Sequence, residues 1–161
     1  TDRAWMTWRR HQLTDLLREL RRVLKSNGSG TAYVSLSPGP FRFAYNTWLQ
    51  DWEIWALGSL IDELVVQNYA YSLQGFARDL QQPALVKASS WGIPVEIGVL
   101  AGFGGRTTAM PALAEKVRLA AQQGHGILYF YWEGLWGQYA GPEGAEARRF
   151  GFSQLHRSLL R

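Results

Sequence analysis

The sequence predicts an α/β fold built on a parallel sheet, and two observations support that prediction. Four short runs rich in β-branched and aromatic residues begin near Thr31, Leu64, Val95 and Ile127, so successive runs start 33, 31 and 32 residues apart. Each interval also contains apolar residues at the three-and-four spacing of an amphipathic helix. Repeated strand–helix units with nearly continuous apolar strands favour parallel strands covered by helices.

In the first half of the chain, apolar periodicity and Gly/Pro punctuation define the elements. Gly58 ends the second helix, and Pro83 interrupts the third helical region. Within the second helix, three tryptophans lie at i, i+4 and i+7, which predicts a stripe buried against the sheet. The predicted elements are a helix at 8–25, a strand at 31–37, a helix at 48–57 with Trp48, Trp52 and Trp55, a strand at 64–69 and helical segments over 73–90.

The second half repeats the alternation. Pro94 restarts the chain before a strand, and the glycine-rich loop that follows is interpreted as a flexible rim or an anion-binding nest. The predicted elements are a strand at 95–100, the glycine-rich loop at 102–108, a helix at 110–123, a strand at 127–132, a loop at 133–143 and a helix at 145–160.

The composition indicates a packed chain and excludes several kinds of site. Hydrophobic residues make up 47% of the 161 residues, and no apolar run reaches the roughly 18 residues of a membrane-spanning helix. The chain has no cysteine, which excludes disulfides, thiolate zinc sites and cysteine nucleophiles. Its three histidines form no HxH or HExxH pattern. We therefore expect no metal and no other cofactor.

The positive charge does not indicate a nucleic-acid-binding protein. The net charge is +4, and six arginines lie within the first 22 residues, interleaved with leucines. This pattern is typical of the solvated face of an amphipathic helix, and no nucleic-acid reader motif accompanies it. Nucleic acid is therefore not an expected partner.

Two α/β architectures fit the repeat. A doubly wound sheet places a phosphate-binding loop after its first strand, but Ser37-Pro38-Gly39-Pro40 has prolines where N–H donors are needed. A complete (β/α)8 barrel repeats at this spacing but needs roughly 200 or more residues. Four units amount to half a barrel, so we expect residues 1–161 to form a single parallel (βα)4 half-barrel preceded by an N-terminal helix.

Several motifs in the sequence, in a fixed order, resemble those of a known protein family. They are LSPGP at 36–40, AYN at 44–46, LQDW at 49–52, IDELVVQNY at 61–69 and FYWEGLW at 130–136, after a first helix that opens with WRR at 8–10. Over almost the whole chain this order resembles the glycosyl-hydrolase-like, family-ten-like proteins, which are (β/α)8 barrels found in bacteria. The chain looks like the second half of such a barrel, strands five to eight.

The resemblance implies a function for the complete barrel. That barrel would bind and cleave a bacterial polysaccharide or cell-wall glycan, with an acidic pair that includes an Asp at the end of strand four. The sequence starts just after that point, at Thr1, which is not an initiator Met, so we expect the isolated chain to be inactive. Relatives are often exported, and the compartment of this chain stays open.

Glycoside hydrolysis requires two carboxyl groups, which in a barrel lie at the C-terminal ends of strands. Glu133 is the single well-placed candidate and is predicted to be catalytic, with a loop-stabilising salt bridge or cap as the alternative. The aromatic residues around it offer faces for a sugar ring and a dry wall that raises its pKa. These flanking candidates are Tyr131, Trp132 and Trp136.

Further substrate-binding candidates lie after the first two strands. Gln67 and Tyr69 share one side of their strand, so both are predicted to point towards the barrel mouth. Ser37, in the SPGP turn, and Asn46, which follows that turn, join them as candidates. For Gln67 and Tyr69 a purely structural polar layer is the alternative.

The remaining carboxylates have structural interpretations. Asp62 and Glu63 precede a strand, at the end of a barrel that serves stability, and are expected to be structural caps or solvent-exposed. Asp51 lies within the predicted second helix and is interpreted as an early-helix or packing polar residue. Glu96 interrupts an apolar strand and is expected to be paired or at an edge, because an unpaired buried charge is costly.

Two other functions stay open. The chain is alternatively a non-catalytic carbohydrate-binding module, which the single well-placed carboxylate favours, or a self-associating module. Because a four-stranded parallel sheet leaves two open edges, we expect a homodimer or pairing with the missing first half of the barrel.

Overall fold

The computed structural model describes residues 2–26, 32–88 and 90–160, and this part of the chain is α/β. Four parallel strands form a sheet in the order β1-β2-β3-β6, and β4 and β5 form a separate antiparallel hairpin. The strands are β1 (Ser35–Leu36), β2 (Glu63–Asn68), β3 (Val95–Leu100), β4 (Gly102–Phe103), β5 (Arg106–Thr107) and β6 (Gly126–Phe130). The predicted fold class is confirmed, and the sheet is compatible with a half-barrel.

Helices alternate with the strands of the sheet. They are α1 (Arg3–Ser26), α2 (Phe41–Phe43), a π-helix (Ala44–Trp48), α3 (Trp52–Leu57), α4 (Leu73–Leu80), α5 (Pro83–Ala88), α6 (Met110–Gln122), α7 (Trp132–Leu135) and α8 (Gly144–Leu159). Local sequence explains several starts: Ser72 caps α4 by accepting from the Gly75 N–H, and Pro83 opens α5. Among the described residues, no helix is both long and apolar enough to cross a membrane.

The chain divides into two compact units, of which the first comprises Thr1–Val66 and Gln82–Val95. Its core contains Trp52, Trp55, Ile61 and Leu64. The Trp55 indole donates to the Thr14 hydroxyl at 2.8 Å, which anchors the middle of α1. In this unit β1 pairs with the start of β2, Ser35 opposite Glu63.

Asp62, just before β2, is the centre of an ion-pair network in the first unit. Its carboxylate accepts two hydrogen bonds from the Arg21 guanidinium, at 2.8 and 3.0 Å, and one from the Val34 N–H at 2.8 Å. Lys25 lies 3.7 Å away. The Arg21 guanidinium holds the pKa of Asp62 well below its usual range. Asp62 is therefore structural, as its position in the sequence indicates.

The second unit comprises Gln67–Gln81 and Glu96–Arg161. In it, β3 and β6 pair from Glu96 opposite Gly126 to Leu100 opposite Phe130. One side of β3 carries Ile97 and Val99, which are fully buried, while Glu96 on the other side is half-buried and lies over Gly126. The core also contains Phe76, Leu80, Leu113, Val117, Phe152 and Leu155.

The structure corrects several sequence-based boundaries. The predicted strand at 31–37 is limited to Ser35–Leu36 among its described residues, since Thr31 lies outside them. The predicted loop before the second helix contains α2 and the π-helix, and the predicted loop at 133–143 overlaps α7.

The tryptophan stripe of the second helix is interrupted. Trp52 and Trp55 are buried, as predicted, but the prediction was wrong for Trp48, whose side chain is 59% exposed. The π-helix that carries Trp48 ends at Leu49, which has a left-handed backbone with φ 62°. A new helix then begins at Asp51, whose carboxylate accepts from the Ile54 N–H. The i, i+4, i+7 spacing therefore spans two helices, and Trp48 does not share a face with the other two.

Candidate functional site

The candidate site lies in the second unit, where three chain segments leave the sheet. These are the residues that follow the C-terminal ends of β2 (69–71), β3 (101–103) and β6 (131–133). In open and closed parallel sheets, ligands bind outside these strand ends.

Aromatic side chains from these segments form a continuous cluster, the aromatic rim. The Tyr69 ring stacks on Phe130 at 5.0 Å between ring centroids, and Phe130 contacts Tyr131 at 4.6 Å. The Phe103 ring lies 6.2 Å from both Phe130 and Tyr131. Tyr139 extends the row, with its centroid 6.5 Å from that of Tyr131. Phe103 is 55% exposed and the three rim tyrosines are half-buried, so the aromatic rim is partly open to solvent.

The glycine-rich segment at 102–108 forms a β-hairpin. From the sequence, a flexible rim loop or an anion-binding nest was predicted there. Phe103 pairs with Arg106 across a two-residue turn at Gly104 and Gly105. Both glycines have positive φ, 58° and 80°, as a type I′ turn requires. The Arg106 guanidinium lies 5.2 Å from the centre of the Tyr71 ring. The hairpin thereby contributes Phe103 to the aromatic rim.

The hairpin packs on α7 by direct backbone contact. A Cβ at Gly134 would lie 2.6 Å from the Gly102 nitrogen, and a Cβ at Gly102 would lie 2.3 Å from the Tyr139 oxygen. Only glycine fits at these two positions, which fixes the separation of Phe103 and the residues around Glu133.

Glu133 lies in the first turn of α7, next to Tyr131. Its main-chain oxygen accepts from the Tyr139 N–H at 2.8 Å. Its side chain is half-buried, and within the described residues its carboxylate has no hydrogen bond or ion pair from another side chain. Burial, and then the negative charge of Glu133, raises the pKa of Tyr131. Burial raises the pKa of Tyr69 to about 12, so both phenols stay protonated as donors at neutral pH.

The structure brings together only some of the predicted site residues. Tyr69, Tyr131 and Glu133 lie at the aromatic rim, and Trp132 is exposed at the start of α7. The Trp136 ring instead packs against Phe152 of α8, 5.4 Å between centroids.

The other candidates lie on different elements. Gln67 is half-buried within β2. Ser37 follows β1 and Asn46 lies in the π-helix, both exposed and both in the first unit. Their roles in substrate binding stay predictions.

Sequence reasoning missed two buried cations. Lys116 in α6 is 1% exposed and Arg148 in α8 is fully buried. Lys116 lies in the same helical stripe as Leu113, Val117 and Ala120, and a lysine inside an apolar stripe was the available signal. No comparable signal marks Arg148, which neighbours the exposed Arg149.

The described residues contain no group of three or more His, Cys, Asp and Glu side chains that could hold a metal ion. At the aromatic rim, the Glu133 carboxylate lies beside protonated phenols and apolar rings.

The family described as glycosyl hydrolase-like 10 matches residues 1–119, which includes β1 to β3 and the hairpin. The segment with Phe130, Tyr131 and Glu133 follows the matched range. No curated protein and no solved structure matches the chain.

Proposed function

The chain belongs to the glycosyl hydrolase-like 10 family, and we propose that it supplies a glycan-binding rim and one carboxyl group to a glycoside hydrolase. One observation carries the proposal. The three residues that follow each strand of the sheet include a single carboxylate, Glu133, and it lies beside the aromatic rim. Aromatic faces next to an unpaired carboxylate suit a sugar ring, whose C–H faces are apolar and whose edges carry hydroxyls.

The proposed chemistry assigns Glu133 one of two roles. Hydrolysis of a glycosidic bond needs one protonated carboxyl group, which helps the leaving group depart, and one ionised carboxylate as nucleophile or base. Tyr69 and Tyr131, held protonated, would donate hydrogen bonds to sugar hydroxyls. The second carboxyl group would come from the first half of the barrel, so this chain alone would bind glycan without cleaving it. A bacterial polysaccharide or cell-wall glycan is the proposed substrate class.

Hydrolysis is tested on the protein that contains both halves of the barrel. Glu133→Gln keeps the shape of the side chain and removes its acid–base function, and we expect kcat/KM on cell-wall glycans to fall by about 100-fold or more. Glu146→Gln, an exposed carboxylate of α8, is the control and should leave turnover unchanged. Equal turnover of Glu133→Gln and the wild type would remove Glu133 from the mechanism.

Binding is tested on this chain alone with soluble cell-wall glycan fragments. We expect Phe103→Ala to weaken binding by about 3- to 10-fold, because one aromatic contact contributes about 0.5–1.5 kcal/mol. Phe150→Ala is a matched control, since Phe150 is also well exposed but lies on α8 outside the aromatic rim. Titration followed by tryptophan fluorescence, with Trp132 exposed next to the rim, gives the Kd. Binding without cleavage by the full barrel would establish the non-catalytic alternative.

A second role, association through the first unit, is favoured by an uncovered apolar surface. β1 is an edge strand of the sheet, and α1 carries exposed apolar side chains beside it. Leu16 and Leu20, each about half exposed, line a groove together with Leu13, Leu17 and Leu36. We propose that the first half of the barrel covers this surface in the longer protein and that a second copy covers it when this chain is alone.

Light scattering tests the association. We expect a dimer at micromolar concentration and a shift to monomer for Leu16→Glu, because a buried unpaired charge is costly. Leu160→Glu, an exposed position at the end of α8, should remain a dimer. A wild-type monomer would contradict the proposal.

A further inference from the structure

The second unit holds two buried cations that are bonded mainly to main-chain carbonyl groups. A buried cation is usually paired with a carboxylate, because its desolvation cost is otherwise large. Lys116 has no carboxylate within ion-pair distance among the described residues. Its ammonium group donates instead to the Ala70 carbonyl at 2.8 Å and lies 5.9 Å from the centre of the Phe76 ring.

Ala70 is the middle residue of the segment that follows β2. The residues on either side of it are Tyr69, which stacks on Phe130 in the aromatic rim, and Tyr71, whose ring contacts Arg106 of the hairpin. The hydrogen bond from Lys116 therefore holds the backbone between two tyrosines of this edge. Burial lowers the pKa of Lys116, which reflects the cost of placing a charge there. An apolar residue at this position would avoid that cost.

Arg148 makes the corresponding contacts to the other two segments. Its guanidinium donates to the carbonyls of Ala101 at 3.0 Å, Thr108 at 2.9 Å and Gly134 at 2.9 Å. Ala101 and Thr108 are the two ends of the hairpin segment that carries Phe103, and Gly134 directly follows Glu133. Arg148 also pairs with the Glu143 carboxylate, which leaves this guanidinium fixed in position.

We propose that Lys116 and Arg148 are positioning residues of the glycan site, each holding rim segments in place by their main-chain carbonyls. Lys116 positions Tyr69 and Tyr71, and Arg148 positions Phe103 and Glu133. Neither cation touches the substrate. The proposal rests on the proposed function for its ligand, but the placement of the aromatic rim can be measured without any ligand.

The test labels the chain with 3-fluorotyrosine and records 19F NMR spectra, assigned by single Tyr→Phe changes. We expect Lys116→Met to shift the signals of Tyr69 and Tyr71 and to leave those of Tyr33 and Tyr45, in the first unit, unchanged. Arg148→Met should shift Tyr131 and Tyr139. A role in stability alone would leave the tyrosine signals of the folded variants at their wild-type positions. Unchanged Tyr69 and Tyr71 signals in folded Lys116→Met would overturn the proposal.

A chemical rescue covers the case in which Lys116→Met does not fold. The chain has no cysteine, so Lys116→Cys can be alkylated at one site while unfolded and then refolded. Aminoethylation restores an ammonium group of nearly lysine length, and carbamidomethylation adds a neutral group as the control. We expect only the aminoethylated chain to recover the wild-type Tyr69 and Tyr71 signals. Equal recovery by the neutral adduct would refute a role for the charge.

Binding of soluble cell-wall glycan fragments separates this proposal from the proposed function. We expect Lys116→Met to raise the Kd by at least about 10-fold, because small misplacements of binding groups are costly. If the wild type binds no glycan but Lys116→Met shifts the Tyr69 and Tyr71 signals, the proposed function fails and the positioning of the rim stands. If Lys116→Met binds glycan like the wild type with unshifted signals, the positioning proposal fails and the proposed function stands.

Discussion

The two units use charge in opposite ways at the ends of their strands. In the first unit a carboxylate, Asp62, lies just before β2 and accepts from the Val34 N–H and from the Arg21 guanidinium. In the second unit two cations, Lys116 and Arg148, donate to carbonyls that follow β2, β3 and β6.

The difference lies in which backbone groups each side chain meets. The Asp62 carboxylate accepts from a main-chain N–H group, whereas the buried ammonium and guanidinium groups donate to main-chain carbonyls. The Glu143 carboxylate pairs with Arg148, whereas Glu133 has no side-chain partner among the described residues. Under the proposed function, the Glu133 carboxylate acts on the substrate.

The largest expected effect is the loss of the Arg148 guanidinium. Arg148→Met removes the guanidinium donors of the Ala101, Thr108 and Gly134 carbonyls and leaves the Glu143 carboxylate without its ion-pair partner, so the free energy of unfolding should fall by about 3–5 kcal/mol. Urea unfolding followed by circular dichroism measures it. Arg157→Met, an exposed position of the same helix, should change stability by less than about 0.5 kcal/mol. Similar losses in the free energy of unfolding for Arg148→Met and Arg157→Met would contradict the structural role assigned to the buried guanidinium.

The close approach of Gly134 to Gly102 gives the next largest effect. In Gly134→Ala the new methyl group meets the Gly102 nitrogen and oxygen, at 2.6 and 2.7 Å, which are backbone atoms that cannot rotate away. We expect a loss of about 2 kcal/mol, in the range of overpacked cores, and displacement of the hairpin. The Tyr139 amide, bonded to the Glu133 oxygen, should exchange faster with solvent. If Gly134→Ala had the stability of the wild type and the same exchange rate at the Tyr139 amide, close packing of the hairpin on α7 would be contradicted.

Sequence patterns predicted where the strands and helices lie, but they did not predict the hydrogen bonds that connect the segments after the strands. The predicted strand at 95–100 has the observed bounds, and the helix predicted at 110–123 is observed at Met110–Gln122, because Pro94 and the glycines around these elements mark their ends. Expecting functional residues after the strands led to Tyr69, Tyr131 and Glu133, since that expectation depends only on strand direction.

The contacts of Lys116 and Arg148 could not be predicted in the same way. Each cation bonds one carbonyl more than 40 residues distant in the sequence, Lys116 that of Ala70 and Arg148 that of Ala101. Every residue has a carbonyl group, so no residue type identifies such a partner. The hairpin was predictable in principle, because Gly104-Gly105 between short β-forming residues is a type I′ turn signal.

Asp62 gives an intermediate effect that depends on pH. Its pKa in the folded chain lies below the unfolded value of about 3.9, so its contribution to stability is present above that value and is lost as the pH falls through the lower folded pKa. Asp62→Asn should therefore be less stable than the wild type by about 1.5 kcal/mol at pH 6, and the difference should begin to narrow below about pH 4 and decrease further as the pH approaches the folded pKa. Asp15→Asn, which removes an exposed pair with Arg18, should change little at either pH. A difference for Asp62→Asn that persists into strong acid would mean that the charge of Asp62 is not what stabilises this end of the sheet.

The smallest expected effect is that of changing Trp48, and the buried Trp52 serves as the reference position. Trp48 is largely exposed in the first unit, so Trp48→Gln should alter the free energy of unfolding by no more than about 0.5 kcal/mol. Trp52, four residues later, is fully buried, and Trp52→Ala should cost about 3–5 kcal/mol because it leaves a large cavity. Urea unfolding of the pair measures the contrast directly. If both changes lowered the free energy of unfolding by several kcal/mol, Trp48 would have to be buried on the same helix face as Trp52. The break in the helix at Leu49 would then be contradicted.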